Sequence, residues 1–143
     1  MKQELDDYLC RVYPKLFADR HKPMTETCMC WGFEVGDGWF NIINQLCQNI
    51  QHHIDWKNKT EEVVPQVVVD QVKEKFGGLR FYYSGGDDYV QGMVRMAEGM
   101  SVKTCEVCGS PGETGGSGWI STMCETHRNE HEEKKLLKEG YEA

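Results

Sequence analysis

The segment TCEVCGSPGETGGSGWISTMCETH (104–127) decides how the C-terminal third of this chain folds. It holds two close pairs of metal-ligating residue types, first Cys105 and Cys108, then Cys124 and His127. Each pair encloses only two residues, so one tight turn can direct both side chains to the same point. Three cysteines and one histidine form a set that binds tetrahedral Zn²⁺. The spacing therefore predicts a zinc site, and because all four ligands are protein groups, the predicted Zn²⁺ is structural.

The fourth ligand has an alternative, because His131 lies one helical turn beyond His127. Gly109 after Cys108 allows the knuckle-like turn to close, and a short strand is expected at Trp119-Ile120. A knuckle, a short β segment and ligands on the first turn of a helix resemble the treble-clef arrangement. Some treble-clef proteins are nucleases with a catalytic histidine on the β segment, but residues 109–123 contain no histidine. A metal-dependent nuclease or hydrolase is therefore the least favoured function.

The composition is that of a small acidic chain with an odd number of cysteines. It has 143 residues, a formal net charge of −7 and seven cysteines. An odd number of cysteines is typical of a reducing compartment, and the charged N-terminus resembles no signal peptide. The expected location is therefore the cytoplasm. The net charge argues against nucleic acid as a partner, since broad phosphate binding needs a surplus of Lys and Arg.

The apolar pattern predicts an α+β fold in two parts. Residues 1–103 form an α+β core, and residues 104–143 form the zinc-binding module with its C-terminal helix. Helices are expected at about 2–18, 39–55 and 87–103, where apolar residues recur at helical spacing. Pro14 should break or kink the first helix, Asp37 is a plausible N-cap of the second, and Asp87 or Asp88 can cap the third.

Residues 66–84 allow two interpretations. Val67-Val68-Val69 favours a strand, and Gly77-Gly78 between Phe76 and Leu79 favours a hairpin turn. This register places Phe76 opposite Leu79 and Val72 opposite Tyr83. The alternative is a helix over 65–76, because Val68, Val72 and Phe76 also repeat every four residues. The hairpin is the preferred interpretation.

On the hairpin, the side away from Val72 carries Lys73, Lys75, Arg80 and Tyr82. Such a basic, aromatic-flanked stripe in an acidic protein suits a phosphate or a small nucleotide signal. The alternatives are an acidic protein partner and an ordinary solvated strand face.

Two further groups of residues each have a structural and a functional interpretation. Cys28, Cys30 and Cys47, with His52 or His53, could form a second metal or redox site, although their spacing also suits ordinary thiols. Trp31, Phe33, Trp39 and Phe40 could form an exposed binding patch, but such clusters more often anchor a loop to the core.

Three segments carry a resemblance: GFEVGDGWF (32–40), QVKEKFGGLRFYYSGG (71–86) and TCEVCGSPG (104–112). Over roughly residues 30–130 the chain resembles a family of short, uncharacterised proteins of phage, prophage and bacterial genomes with a C-terminal treble-clef-like module. This resemblance implies a mobile-element context, and therefore a bacterial host cell, and it brings no catalytic residues with it. The expected function is therefore a non-enzymatic accessory protein that binds, and inhibits, a host defence protein. The alternative is sequestration of a small nucleotide through the basic hairpin stripe.

Overall fold

The computed structural model describes residues 1–140 and shows an α+β fold, as the sequence predicts. Its helices are α1 (Gln3–Val12), α2 (Phe40–Lys57), α3 (Asp88–Ser101) and α4 (Glu125–Lys138). Its strands are β1 (Phe33–Glu34), β2 (Val68–Lys75), β3 (Gly78–Ser84), β4 (Glu113–Gly115) and β5 (Ser121–Met123). Strands β1, β2 and β3 form one sheet in that order, and β4 pairs with β5 in a second.

The helix expected at 2–18 ends at Val12, two residues before Pro14. Proline lacks the N–H that a helix interior needs, and the residue before it disfavours helical torsions. The chain continues through turns to residue 22, yet Leu16 and Phe17 remain buried in the same core as Leu9. The predicted helix was therefore too long, and of its apolar positions Leu9, Leu16 and Phe17 are buried whereas Val12 is exposed.

Asp37 does not cap α2, whose N-cap is Trp39 without a side-chain hydrogen bond. The Asp37 carboxylate instead accepts a hydrogen bond from the backbone N–H of Lys2 at 2.8 Å. It therefore ties the residue directly before α1 to the loop before α2, a long-range contact that local sequence does not show. Asp87 caps α3 as expected, accepting from the Val90 N–H at 3.1 Å.

The β2–β3 pair confirms the hairpin and excludes a helix over 65–76. The turn lies one residue earlier in the chain than predicted, so the strand pairing differs from the expected one. Lys75 pairs with Gly78, and Val72 pairs with Phe81. The turn residues are therefore Phe76 and Gly77, both with positive φ (54° and 83°), which suits the twist of a two-residue hairpin. The cause is tertiary, because the Thr122 hydroxyl donates a 2.6 Å hydrogen bond to the Gly77 carbonyl.

Helices α2 and α3 cover one face of the β1–β2–β3 sheet. Val69, Val72, Leu79 and Phe81 face them and are buried. α3 also covers the outer edge of β3, since Ser101 and Glu98 side chains accept the Leu79 and Phe81 N–H groups at 2.9 and 3.1 Å. This edge is thereby satisfied without another strand.

The aromatic residues predicted as an exposed patch or a loop anchor, Trp31, Phe33, Trp39 and Phe40, mostly anchor their loop to the core. Trp39 is fully buried and Phe33 nearly so, whereas Trp31 is exposed. No helix within residues 1–140 has the length and apolar character needed to cross a membrane.

Candidate metal centre

The structure brings Cys105, Cys108, Cys124 and His127 together, with their ligand atoms all within 4.8 Å of one another. The Cys108 and Cys124 Sγ atoms lie 3.9 Å apart, and the Cys105 Sγ lies 3.6 Å from His127 Nδ1. A tetrahedral Zn²⁺ with bonds of about 2.3 Å to sulfur and about 2.0 Å to nitrogen gives edges of roughly 3.5–3.8 Å. The cluster is therefore close enough to bind a metal ion, and three of its ligand–ligand distances, 3.2–3.9 Å, lie near these edges. His131 is not part of it.

The knuckle that carries the first pair is closed by backbone hydrogen bonds. The Cys105 N–H donates to the Ser110 carbonyl at 2.7 Å, and the Gly109 N–H donates to the Cys105 carbonyl at 2.9 Å. Gly109 has a φ of +82°, a conformation that other residues rarely adopt. The glycine after Cys108 is thus required by the turn that aims both thiols at one point.

The second pair is placed by a strand and a helix. β5 ends at Met123, Cys124 is the N-cap residue of α4, and His127 follows on the first helical turn. The strand predicted at Trp119-Ile120 instead begins at Ser121, because pairing with β4 runs from Gly115–Ser121 to Glu113–Met123. The observed order of knuckle, hairpin and helix is that of a treble-clef-like module.

Two of the thiols have surroundings that favour the thiolate, which is the form that binds metal. Burial opposes ionisation of Cys105, but N–H groups of Cys124, Cys108 and Val107 outweigh it and lower the pKa of Cys105. The hydroxyl and N–H of Ser110 lower the pKa of Cys108 to about 6.

The remaining two ligands respond to the thiols around them. The His127 N–H favours the Cys124 thiolate, yet burial and the neighbouring thiols of Cys105 and Cys108 together raise the pKa of Cys124. The hydrogen bond to Cys105 likewise raises the pKa of His127. Negative charge concentrated at one point is what a bound cation would neutralise.

Arg128 holds the strands and the helix of this segment together, a role that was not predicted from the sequence. Its guanidinium donates four hydrogen bonds of 2.8–3.1 Å, to the carbonyls of Glu113, Gly115 and Ser121 and to the Ser121 hydroxyl. It therefore ties α4 to both ends of the β4–β5 loop. Its only signal in the sequence is its position directly after His127.

The knuckle packs against the loop that precedes α2. The Gly38 N–H donates to the Glu106 carbonyl at 2.7 Å, and the Gly36 N–H donates to the Glu106 carboxylate at 2.8 Å. Trp39 Nε1 donates to the Thr104 carbonyl at 2.9 Å. The backbones approach so closely that a Cβ on Gly38 would overlap the Cys105 carbonyl oxygen. The two glycines of Gly36-Asp37-Gly38 therefore allow the α+β core to pack directly against residues 104–138, the metal module.

The basic stripe lies on the sheet face that points away from the helices. Lys73 pairs with Arg80 across β2 and β3, and Lys75 and Tyr82 lie on the same side. Within residues 1–140 no carboxylate lies within ion-pair distance of the three cations; the ion pairs there use Lys2, Arg20, Lys22, His53 and Lys57. The one-residue change in the turn preserves which residues share this face.

The other cysteines are not gathered into a site. In the part of the chain that the structure describes, only the C-terminal ligands cluster, and Cys28, Cys30 and Cys47 do not. Cys47 is fully buried in α2, and this burial raises the pKa of its thiol. His53 is held by Asp87, with 2.8 Å between Nε2 and the carboxylate.

Comparison of the chain with models of protein families, with curated proteins and with solved structures gave no match.

Proposed function

We propose that this protein is a small, non-enzymatic binding protein whose C-terminal module is held by a structural Zn²⁺. One observation carries the proposal: three thiols and one imidazole gather with their ligand atoms all within 4.8 Å of one another. A four-coordinate set of this kind keeps no position for water or substrate. The metal then contributes folding free energy rather than chemistry, and the protein acts through its surface.

The proposed partner is a host protein in the bacterial cytoplasm. Its support is the resemblance of segments 32–40, 71–86 and 104–112 to proteins of phage and prophage genomes. Small accessory proteins in that setting often antagonise host defence, so the proposed action is inhibition of a defence protein. The net charge of −7 makes a protein partner more favourable than a nucleic acid.

The test is native mass spectrometry of the zinc-loaded protein after incubation in bacterial extract. The expected result is a complex with one host protein that still contains one Zn²⁺ per chain, and inhibition of that protein once it is purified. Chain loaded with Zn²⁺ that retains no protein under gentle conditions would contradict the proposed partner. Loss of Zn²⁺ without any change in folding would contradict the structural role.

A second candidate function is sequestration of a small nucleotide through Lys73, Lys75 and Arg80. It is favoured by the absence of ion-pair partners for these three cations within residues 1–140. Calorimetric titration with nucleoside triphosphates and cyclic dinucleotides would test it. Arg80→Glu should abolish the binding, and Lys59→Glu, an exposed lysine outside the stripe, should preserve it. Equal affinity in the Arg80→Glu variant would exclude this function.

A further inference from the structure

An apolar groove runs between α2 and α3 on the side away from the sheet. One cavity of about 320 Å³ is lined by Ile42, Met93, Met96 and Met100. A second, of about 420 Å³, adjoins it through Met93 and extends to Trp56. These five residues define the α2–α3 groove. Along α2 it extends from Ile42 to Trp56, which is about 20 Å at 1.5 Å per residue.

The groove is exposed to a degree that a core does not allow. Met96, Met100 and Trp56 are 70%, 49% and 62% exposed, respectively. A continuous row of exposed large apolar side chains is typical of an interaction surface. Methionine suits such a surface because its unbranched side chain adapts to the shape of a partner.

Among residues 1–140, no Asp, Glu, Lys or Arg lines either cavity, in a chain where 27% of residues are charged. At the Trp56 end, the Asp87 carboxylate lies 2.8 Å from the lining residue His53. Residues 38–54, which include most of α2, contain no Asp, Glu, Lys or Arg. The residues lining both cavities are apolar, amide or histidine. Two molecules that each carry a charge of −7 repel one another across most orientations, but not across a face that brings no carboxylates together.

The rim of the groove is complementary to itself. Asn41, Gln45 and Asn49 follow one another at four-residue intervals and so form one stripe along α2. An amide side chain both donates and accepts hydrogen bonds, so an identical stripe running in the opposite direction can satisfy it. A two-fold axis through the middle of the stripe would place Gln45 of one copy beside Gln45 of the other.

The lining of the groove contains no charged residue type, and its rim is complementary to itself. From these two features we infer that a second copy of this chain docks in the α2–α3 groove. The product is a two-fold symmetric dimer in which α2 and α3 of each copy form a four-helix interface. Met96 and Met100 of one copy pack into the groove of the other. This inference is independent of the proposed host partner, because it concerns a different surface from the basic stripe and the metal module.

The test is sedimentation of the full, zinc-loaded chain over a range of concentrations. The expected species has twice the 16.5 kDa mass of a single chain. Met96→Glu places like charges against an apolar surface in both copies, so the dissociation constant should rise at least about 100-fold. The matched control is Met24→Glu, a methionine that is 69% exposed and outside the groove, and it should leave the dimer intact.

Three results would overturn the inference: a wild-type chain that stays monomeric at every concentration, a dimer unaffected by Met96→Glu, or a dimer that Met24→Glu weakens equally. A monomeric wild type that binds a host protein in a Met96-dependent way would assign the groove to that partner instead. Circular dichroism and zinc content show whether each variant is folded.

A charge exchange at Gln45 provides a second test. Gln45→Glu and Gln45→Lys should each weaken self-association, and an equimolar mixture should restore it as a mixed dimer. A mixture no stronger than either variant alone would contradict a two-fold axis through the middle of the amide stripe.

Discussion

Gly38 is the residue at which the metal module and the core approach most closely. A Cβ there would overlap the Cys105 carbonyl and lie 2.6 Å from the Gly109 backbone nitrogen, and backbone atoms cannot move aside as a flexible side chain can. Gly38→Ala should therefore lower the free energy of unfolding by at least about 2 kcal/mol. Chemical denaturation of the zinc-loaded protein measures this.

Gly99→Ala is the matched control for Gly38, because Gly99 lies on α3 with nothing within 4 Å of the position its Cβ would take. Alanine is the better helix former, so this variant should gain about 0.5–1 kcal/mol. Equal stability of Gly38→Ala and the wild type would contradict the close packing of knuckle against core.

His127 and His131 provide a direct comparison within one helix. Only His127 has its Nδ1 near the thiols, 3.6 Å from Cys105 Sγ and 3.2 Å from Cys124 Sγ. His127→Ala should release zinc to a chelator at far lower concentration than the wild type, whereas His131→Ala should not differ from it. Zinc retention measured by elemental analysis after dialysis checks both. The reverse pattern would make His131 the fourth ligand.

Asp87 links the beginning of α3 to the end of α2. Its carboxylate accepts from the Val90 N–H and pairs with His53. Burial alone would raise its pKa, but the hydrogen bonds from His53 and from the Val90 and Tyr89 N–H groups hold the pKa of Asp87 below its usual value. Its ionised form is thus more stable in the folded chain than in the unfolded one.

Substitutions at Asp87 should separate its capping role from its charge. Asp87→Ala loses both and should cost about 1–2 kcal/mol at neutral pH, and Asp87→Asn keeps the cap and should cost less. Because the folded-state pKa is lowered, the advantage of the wild type over Asp87→Asn is present at neutral pH and lost as the pH falls through that pKa. Urea denaturation at neutral and acidic pH measures the difference. An advantage that does not change with pH would contradict the lowered pKa of Asp87.

Elements were predictable from sequence where their signals were local. The apolar spacing of α2 and α3, the Asp87 cap and the hairpin were all found this way. The turn at Phe76-Gly77 and the contact of Asp37 with Lys2 could not be predicted in this way. Each depends on a partner distant in sequence, Thr122 for the turn and Lys2 for Asp37. Periodicity reports which face is buried, whereas register and hydrogen bonds across the fold depend on tertiary contacts.

At the scale of the whole molecule, the metal module should affect more than its own residues. It contacts the loop before α2 through Gly38 and Glu106, and the hairpin turn through Thr122 and Gly77. Removing the metal with a chelator should therefore reduce hydrogen-exchange protection at the Gly38 amide as well as in residues 104–127. The backbone amides of α2 around Ile43 and Ile50 should keep their hydrogen-exchange protection. Loss of protection confined to residues 104–127 would show that the module does not support the core.

The four residues of the Cys/His cluster were predictable in full, because the paired spacing of Cys105, Cys108, Cys124 and His127 encodes two adjacent turns. The contacts that hold these four residues in place could not be predicted. Arg128 looks like any helical arginine in the sequence, and the Gly36-Asp37-Gly38 contact joins segments about 70 residues apart.

The closed, four-coordinate zinc centre that we propose is tested by X-ray absorption spectroscopy at the zinc edge. The spectrum should show three sulfur ligands at about 2.3 Å and one nitrogen at about 2.0 Å, with no bound water. A first shell with an oxygen ligand, or with fewer than three sulfurs, would mean an open position on the metal and would exclude a closed structural site.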